Sequence, residues 1–223
     1  MMERHFEHQL DDLKKLILIM GGHVEKALME AVQALISRDP ERFKAVHAIE
    51  KQINENHLEV DLECMKILAQ QAPVAKDLRL VISIVKINTD LERMGDQSVN
   101  IAHTGKHYLT GPAHGSIEDI RKMSELARKM VKDSLDAFVQ EDTAKAQTVL
   151  EADDAVDEYK DKVFNELTSY MAKNTAQIES CLDLILIARN LERLADHATN
   201  IAEDVIYAFT GEDVRHGNAN TGR

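Results

Sequence analysis

Apolar residues recur along this chain at alternating steps of three and four. Leu10, Leu13, Ile17, Met20, Val24, Ala27, Ala31 and Ala34 form the first such series. That is the spacing of a helix packed along one seam. Asp39 and Pro40 then read as an N-cap and first helical residue, which predicts a second helix from there to about Gln70. Pro73 permits a new start, and a third helix is predicted to about Leu109, with Ile84, Ile87, Leu91, Met94, Ser98 and Ile101 as its seam. Thr110, Gly111 and Pro112 break it, and 113–116 add a polar linker.

The pattern then starts again. Ile120, Met123, Ala127, Met130, Ser134 and Ala137 repeat the first seam at a shift of 103, and Asp142 and Thr143 stand where Asp39 and Pro40 stood. A fifth helix is predicted to about Lys173, and a sixth from about Ala176 to Phe209. Residues 87–102 read INTDLERMGDQSVNIA and residues 187–202 read IARNLERLADHATNIA, identical at eight of sixteen positions at a shift of 100. The second connection is therefore shorter by three residues. No stretch alternates with the period of a strand. A repeat this long sets the architecture. The expectation is an all-α chain of two tandem, pseudo-symmetric three-helix bundles of up-down-up form, residues 1–110 and 111–223. Gly21 and Gly22 interrupt the first helix at ~1 kcal/mol each relative to alanine, which predicts a close helix contact or a kink there. The polar tail from Gly211 is expected to fray.

Composition supports helix: three prolines and nine glycines in 223 residues leave few breaks. The formal charge of −12, with no compensating basic segment, argues against nucleic acid as a partner. It leaves cation binding open. Cys64 and Cys181 stand alone without a CxxC pairing, as expected of reduced, semi-buried thiols. The start has no signal-peptide apolar region, and the run LILIM at 16–20 is too short to span a bilayer. A cytoplasmic protein is the expectation.

The repeated segment carries chemistry as well as a seam. Glu92, Asp96 and Asn100 are four apart on one helical face, and Glu192, Asp196 and Asn200 copy them. Both stripes are predicted to lie roughly opposite the apolar seam, on the bundle surface or in a surface groove. A solvated face needs charge, but it does not need the same acid, base and Asn in the same slots. Asp153 and Asp157 on the fifth helix add a second acidic pair, and the shift of 103 carries them to Glu50 and Asn54 on the second. Sequential helices are antiparallel neighbours, so each bundle can face one pair with another across a groove. Carboxylates that converge repel one another and are best stabilised by a divalent or trivalent cation. All-oxygen ligation favours magnesium, manganese, calcium or iron. His103, His107 and His197 lie near the stripes but read as ordinary surface or core residues, and His5 and His8 carry less weight.

Several strings together resemble the PhoU family: MGGHVEKALMEAV near the start, PVAKDLRLVISIVKI at 73–87, LERMGDQSVNIA, and NLERLADHATNIAEDVIYAFTGEDVRH at 190–216. The resemblance runs in family order from about Phe6 to His216. It implies a cytoplasmic, often dimeric regulator that represses phosphate-starvation signalling, acting between the Pst phosphate transporter, through its ATPase, and a PhoR-type sensor kinase. It also implies a multinuclear metal cluster, of iron, zinc, manganese or magnesium, on acidic pairs. Those pairs fall on Glu92 with Asp96, Glu192 with Asp196, and Asp153 with Asp157. The fourth, Glu50 with Asn54, departs from the pattern through its neutral amide. Asp77 and Arg79 match a family segment whose role the residues do not reveal; a surface ion pair is their plain reading.

Two other classes compete. A carboxylate-bridged, metal-dependent enzyme would be expected to carry a Glu-x-x-His motif, and none occurs. There is also no HExxH and no phosphate-cradling glycine loop. A non-enzymatic adaptor is therefore the expectation, with a passive helical scaffold as the other alternative.

Overall fold

The structure is a computed structural model that describes residues 2–214, with side chains from Phe6 onward. Six long helices account for nearly all of it: α1 Met2–Ser37, α2 Arg42–Gln71, α3 Ala75–Tyr108, α4 Ile117–Gln140, α5 Thr143–Met171 and α6 Ile178–Thr210. A 3-10 turn, Thr175–Gln177, leads into α6. Among the described residues there is no strand. Residues 215–223 of the predicted fraying tail, and the side chain of His5, lie outside the described residues.

The seams are buried as their spacing requires. Leu13, Ile17, Met20, Val24 and Ala27 are shut from solvent on α1, and Ile120, Met123, Ala127 and Val131 on α4. Helices α1, α2 and α3 pack mutually, as do α4, α5 and α6, so each half is a three-helix bundle. The most extensive helix–helix contact nevertheless joins the halves, between α3 and α6, and α1 also meets α4. The order across one layer is α2, α3, α6, α5, with α1 and α4 packed behind it. At Gly21, a Cβ would collide with the Leu135 side chain of α4, so that glycine allows a close approach between the halves. Gly22 faces open space, and α1 runs unbroken through both.

The repeat reaches into the backbone. Arg38 and Glu141, equivalent at the shift of 103, end α1 and α4 in the same left-handed conformation, with φ of 53° and 55°. In both, the next amide reaches back five residues, from Asp39 to Ala34 at 3.0 Å and from Asp142 to Ala137 at 2.9 Å. That is a Schellman closure, here without its usual glycine. Beyond this closure the two halves diverge. Asp142 caps α5, its side chain accepting from the Lys145 amide at 2.9 Å. Asp39 instead accepts from the Glu41 amide at 3.1 Å, and a turn of i→i+3 bonds intervenes, so α2 begins at Arg42 rather than at Pro40. The sixth helix starts at Ile178, two residues late, for the same reason: the 3-10 turn precedes it.

Both ends of the α3–α6 layer are pinned. Arg38 donates to the carbonyls of Leu109 at 2.8 Å and Gly111 at 2.5 Å, closing the C-terminal end of α3. Glu141 accepts from Lys14 at 3.1 Å and Lys76 at 3.2 Å, tying the second bundle's turn to two helices of the first. Asp77 sits in the first turn of α3, where the helix dipole favours an acid. The Arg79 guanidinium lies against Gly211, which ends α6 with φ 81°. The Asp77–Arg79 segment therefore abuts the end of the other bundle's last helix.

Candidate acidic grooves

The antiparallel pairing of α5 with α6 creates the fuller of two grooves. Asp153 and Asp157 come from consecutive turns of α5, and Glu192 and Asp196 from consecutive turns of α6. All four sense one another. Burial, then Asp196, Asp157, Asp154 and Glu192, push the Asp153 carboxyl up to about 6. Burial, then Glu192 and Asp157, raise Asp196 as well. Four carboxylates held this close favour protonation or a counter-cation.

A cation is already among them. Lys160, one turn beyond Asp157, donates to Asp157 at 2.6 Å and to Glu192 at 3.3 Å, bridging α5 to α6. The hydrogen bond to Asp157, with further help from Glu192, raises its pKa. Beside the bridge a cleft of about 340 Å³ opens between the same two helices, floored by Phe164, Ile185 and Ala188.

The first groove, between α2 and α3, is arranged differently. Asn54 donates its amide to Glu50 within α2. On the α3 side of the groove, Arg93 reaches its own helix's acids, Glu92 and Asp96, at 3.5 Å each. Among the described residues no hydrogen bond or ion pair links the Glu50–Asn54 pair to the Glu92–Asp96 pair. Gly95 lies between those two acids, and a Cβ on it would stand 3.1 Å from Ile53 of α2. That glycine lets α2 approach α3 and sets the width of the groove.

The stripes lie on the side of each helix away from the buried seam, in surface grooves. The Glu92 and Glu192 side chains are half-buried, because the neighbouring helix closes over each of them. The two asparagines part company: Asn100 is exposed, while Asn200 donates to Asp90 of α3 at 3.2 Å. His197 meets the same carboxylate at 2.8 Å, and His107 meets Asp183 of α6 at 2.6 Å. These histidines join α3 to α6 through Asp90 and Asp183, acids outside the stripes. A third polar link is Lys86 to Asp204 at 3.3 Å, with Asp204 only 1% exposed. The sequence reading missed these links and Lys160. Their signal is a failure of the repeat: at the shift of 100, Lys86, His107, Asp183 and Asp204 correspond to Leu186, Tyr207, Ser83 and Thr104.

The donors of the second groove are of the chemistry that suits a hard cation: four carboxylates, two of them with raised pKa, of which Asp157 and Glu192 bond the Lys160 ammonium. Among the described residues, no three His, Cys, Asp or Glu side chains converge on a common point as a metal would require. Side chains must turn for an ion to be held. The residues that would hold it are Asp153, Asp157, Glu192 and Asp196 in the second bundle, and Glu50, Asn54, Glu92 and Asp96 in the first.

Comparison with known proteins matches the division into two bundles. The family model of the PhoU domain matches residues 17–104 and again 120–205. The phosphate-specific transport system accessory protein PhoU homolog of Pseudomonas aeruginosa is 39% identical over 216 residues, covering 96% of this chain and 89% of the relative. That of Clostridium acetobutylicum is 34% identical over 215 residues, covering 96% and 98%. The crystal structure of PhoU from Pseudomonas aeruginosa superposes with a TM-score of 0.89 over 93% of this chain and 100% of that one. The phosphate transport system regulatory protein PhoU from Streptococcus pneumoniae, 32% identical, gives 0.85 over 94% and 99%.

Proposed function

This chain belongs to the PhoU family, and we propose that it is the accessory protein of a phosphate-specific transport system, a metal-binding cytoplasmic adaptor that represses phosphate uptake and phosphate-starvation signalling. Its relatives are named for that transport system along nearly the whole length shared with this chain. Among the described residues no helix is long and apolar enough to cross a membrane. The partners in this reading are the transporter's ATPase and a PhoR-type sensor kinase, and the adaptor works as a homodimer. No catalysis is assigned to it.

The observation that carries the metal part of this reading is the second groove. Four carboxylates from two helices gather there with an ammonium bonded to only two of them, Asp157 and Glu192, and burial together with their mutual repulsion raises the Asp153 carboxyl to about 6. A bound metal ion would supply the positive charge that relieves this repulsion and would cross-link α5 to α6. The chain's own residues supply the oxygen donors and the groove that keeps them partly out of water.

The test is the double substitution Glu192→Gln with Asp196→Asn, which nearly preserves volume while removing two charges. It should leave helix content intact, since such surface changes usually cost within ~0.5 kcal/mol. Elemental analysis should show loss of metal from the second bundle, and cells carrying the variant should express phosphate-starvation genes in rich phosphate. Normal repression with metal demonstrably lost would exclude a signalling role for the site. Loss of fold would assign the metal a structural role instead.

A further inference from the structure

The second groove carries its own cation at the place where a metal shared by α5 and α6 would sit. Lys160 is held between Asp157 and Glu192, and the same side chain lines the neighbouring cleft with Asp161, Phe164, Ile185 and Arg189. Its ammonium therefore borders two compartments. One is acidic. The other has an apolar floor, with Phe164 half-exposed and Arg189 at its edge.

We propose that Lys160 gates cation binding in the second bundle: its ammonium occupies the bridge between Asp157 and Glu192 in the metal-free protein, and a divalent cation that binds there expels it into the cleft. The inference rests on the reading of this groove as a metal site. Charge requires the exchange, because an ammonium and a metal ion cannot share the same carboxylate oxygens without strong repulsion. Space permits it, because a lysine moves its head group by rotation about side-chain bonds alone. The apolar floor then covers the methylene stem while the head stays in water. The present orientation of the acids fits as well. Asp157 and Glu192 are turned toward Lys160, and among the described residues no three carboxylates converge as a metal would require. The gate belongs to one bundle only. At the shift of 103, Lys160 corresponds to His57, which faces Asp61 at 3.5 Å and the Asn88 carbonyl at 3.4 Å. Metal loading of the second bundle would thus place a second cation beside Arg189 on the outer surface, a change that a partner can read.

Two measurements on the metal-stripped full-length chain test this. Manganese(II) is titrated by calorimetry into the wild type, Lys160→Gln and Arg193→Gln. The last removes an equal charge from an exposed side chain of α6, next in sequence to Glu192. Separately, acylation of Lys160 in the wild type by an amine-reactive reagent is followed by mass spectrometry with and without manganese, which needs no variant to fold. Lys160→Gln should bind manganese about tenfold more tightly than the wild type, as expected for removal of a competing charge in contact with the ligands. Arg193→Gln should gain no more than about threefold, as for an exposed, screened charge. Lys160 should acylate several-fold faster once manganese is bound. Manganese binding with unchanged Lys160 reactivity, and with the two variants equal in affinity, would overturn the gate and leave the metal reading standing. Wild type and Lys160→Gln binding no better than the Glu192→Gln, Asp196→Asn protein would overturn both.

Discussion

The two grooves descend from one pattern and differ in how their charge is balanced. In the second bundle four carboxylates are balanced from inside by Lys160, which joins α5 to α6. In the first there are three carboxylates. An amide, Asn54, occupies the fourth position and satisfies Glu50, while Arg93 reaches Glu92 and Asp96 from outside. The helix contact beneath differs in a matched way. Gly95 faces Ile53 in the first bundle, where Ala195 and Val156 occupy the equivalent positions in the second. One carbon has moved from the third helix of the bundle to the middle one, so the pair's combined size is kept. The repeat preserved three of the four acid positions and the groove, and the residues between them diverged in how they pair with those acids.

The packing half of that comparison can be broken by the largest expected effect. Gly95→Val should overpack the α2–α3 contact and cost about 2 kcal/mol, or about 4–8 °C in Tm for a chain of this size. The exchange Gly95→Ala with Ile53→Val copies the second bundle into the first and should stay within ~0.5 kcal/mol of wild type, as a volume-conserving swap does. Thermal unfolding followed by circular dichroism checks both. A wild-type Tm for Gly95→Val would show that this glycine does not set the groove.

The charge half is sharpened by Asn54→Asp, which restores the missing carboxylate. With one groove disabled at a time, by Glu92→Gln with Asp96→Asn or by Glu192→Gln with Asp196→Asn, a chelator titration should empty the first groove before the second. Asn54→Asp should narrow that gap by about fivefold in affinity, the worth of one added charge near ~1 kcal/mol. Equal retention in the two grooves, or no response to Asn54→Asp, would mean that carboxylate number does not order them.

Much of this molecule was legible in the sequence, and what was hidden has physical reasons. The three-and-four spacing from Leu13 to Ala34 identified α1 because one wall of the core runs along it. Asp142 was readable as a cap because its side chain meets an amide three residues on. Asp39, at the same repeat position, bonds two residues on instead, with Pro40 after it where Thr143 follows Asp142. The acid positions were legible because the repeat kept them. Lys160 was not, because spacing places it on a helix face without saying which acid of the next helix its long side chain reaches. The α3–α6 layer was the least visible element. Helix α3 is buried along a second side through Ser83 and Gln97, whose polar side chains conceal a packing face from any hydrophobic count.

That layer is also where the halves are least alike. A symmetric contact would present every link twice, yet His107 with Asp183 answers at the shift of 100 to Tyr207 with Ser83, whose buried hydroxyl has no hydrogen-bond partner. Only the first of these pairs contains a group that titrates between pH 5 and 8. The hydrogen bond and charge of Asp183 hold His107 above its ordinary 6.5. A histidine raised in the folded state favours its protonated form there, so its stabilisation is fully present below pH 6.5 and is lost as pH rises through the raised value. His107→Gln keeps a donor toward Asp183 but removes the titration. The Tm advantage of wild type over this variant should therefore be greatest near pH ~6 and shrink toward pH ~8, the smallest of these effects because the side chain is exposed. Unfolding curves at matched ionic strength measure it. An advantage that stays constant or grows with pH would show that the His107–Asp183 link does not act through its charge.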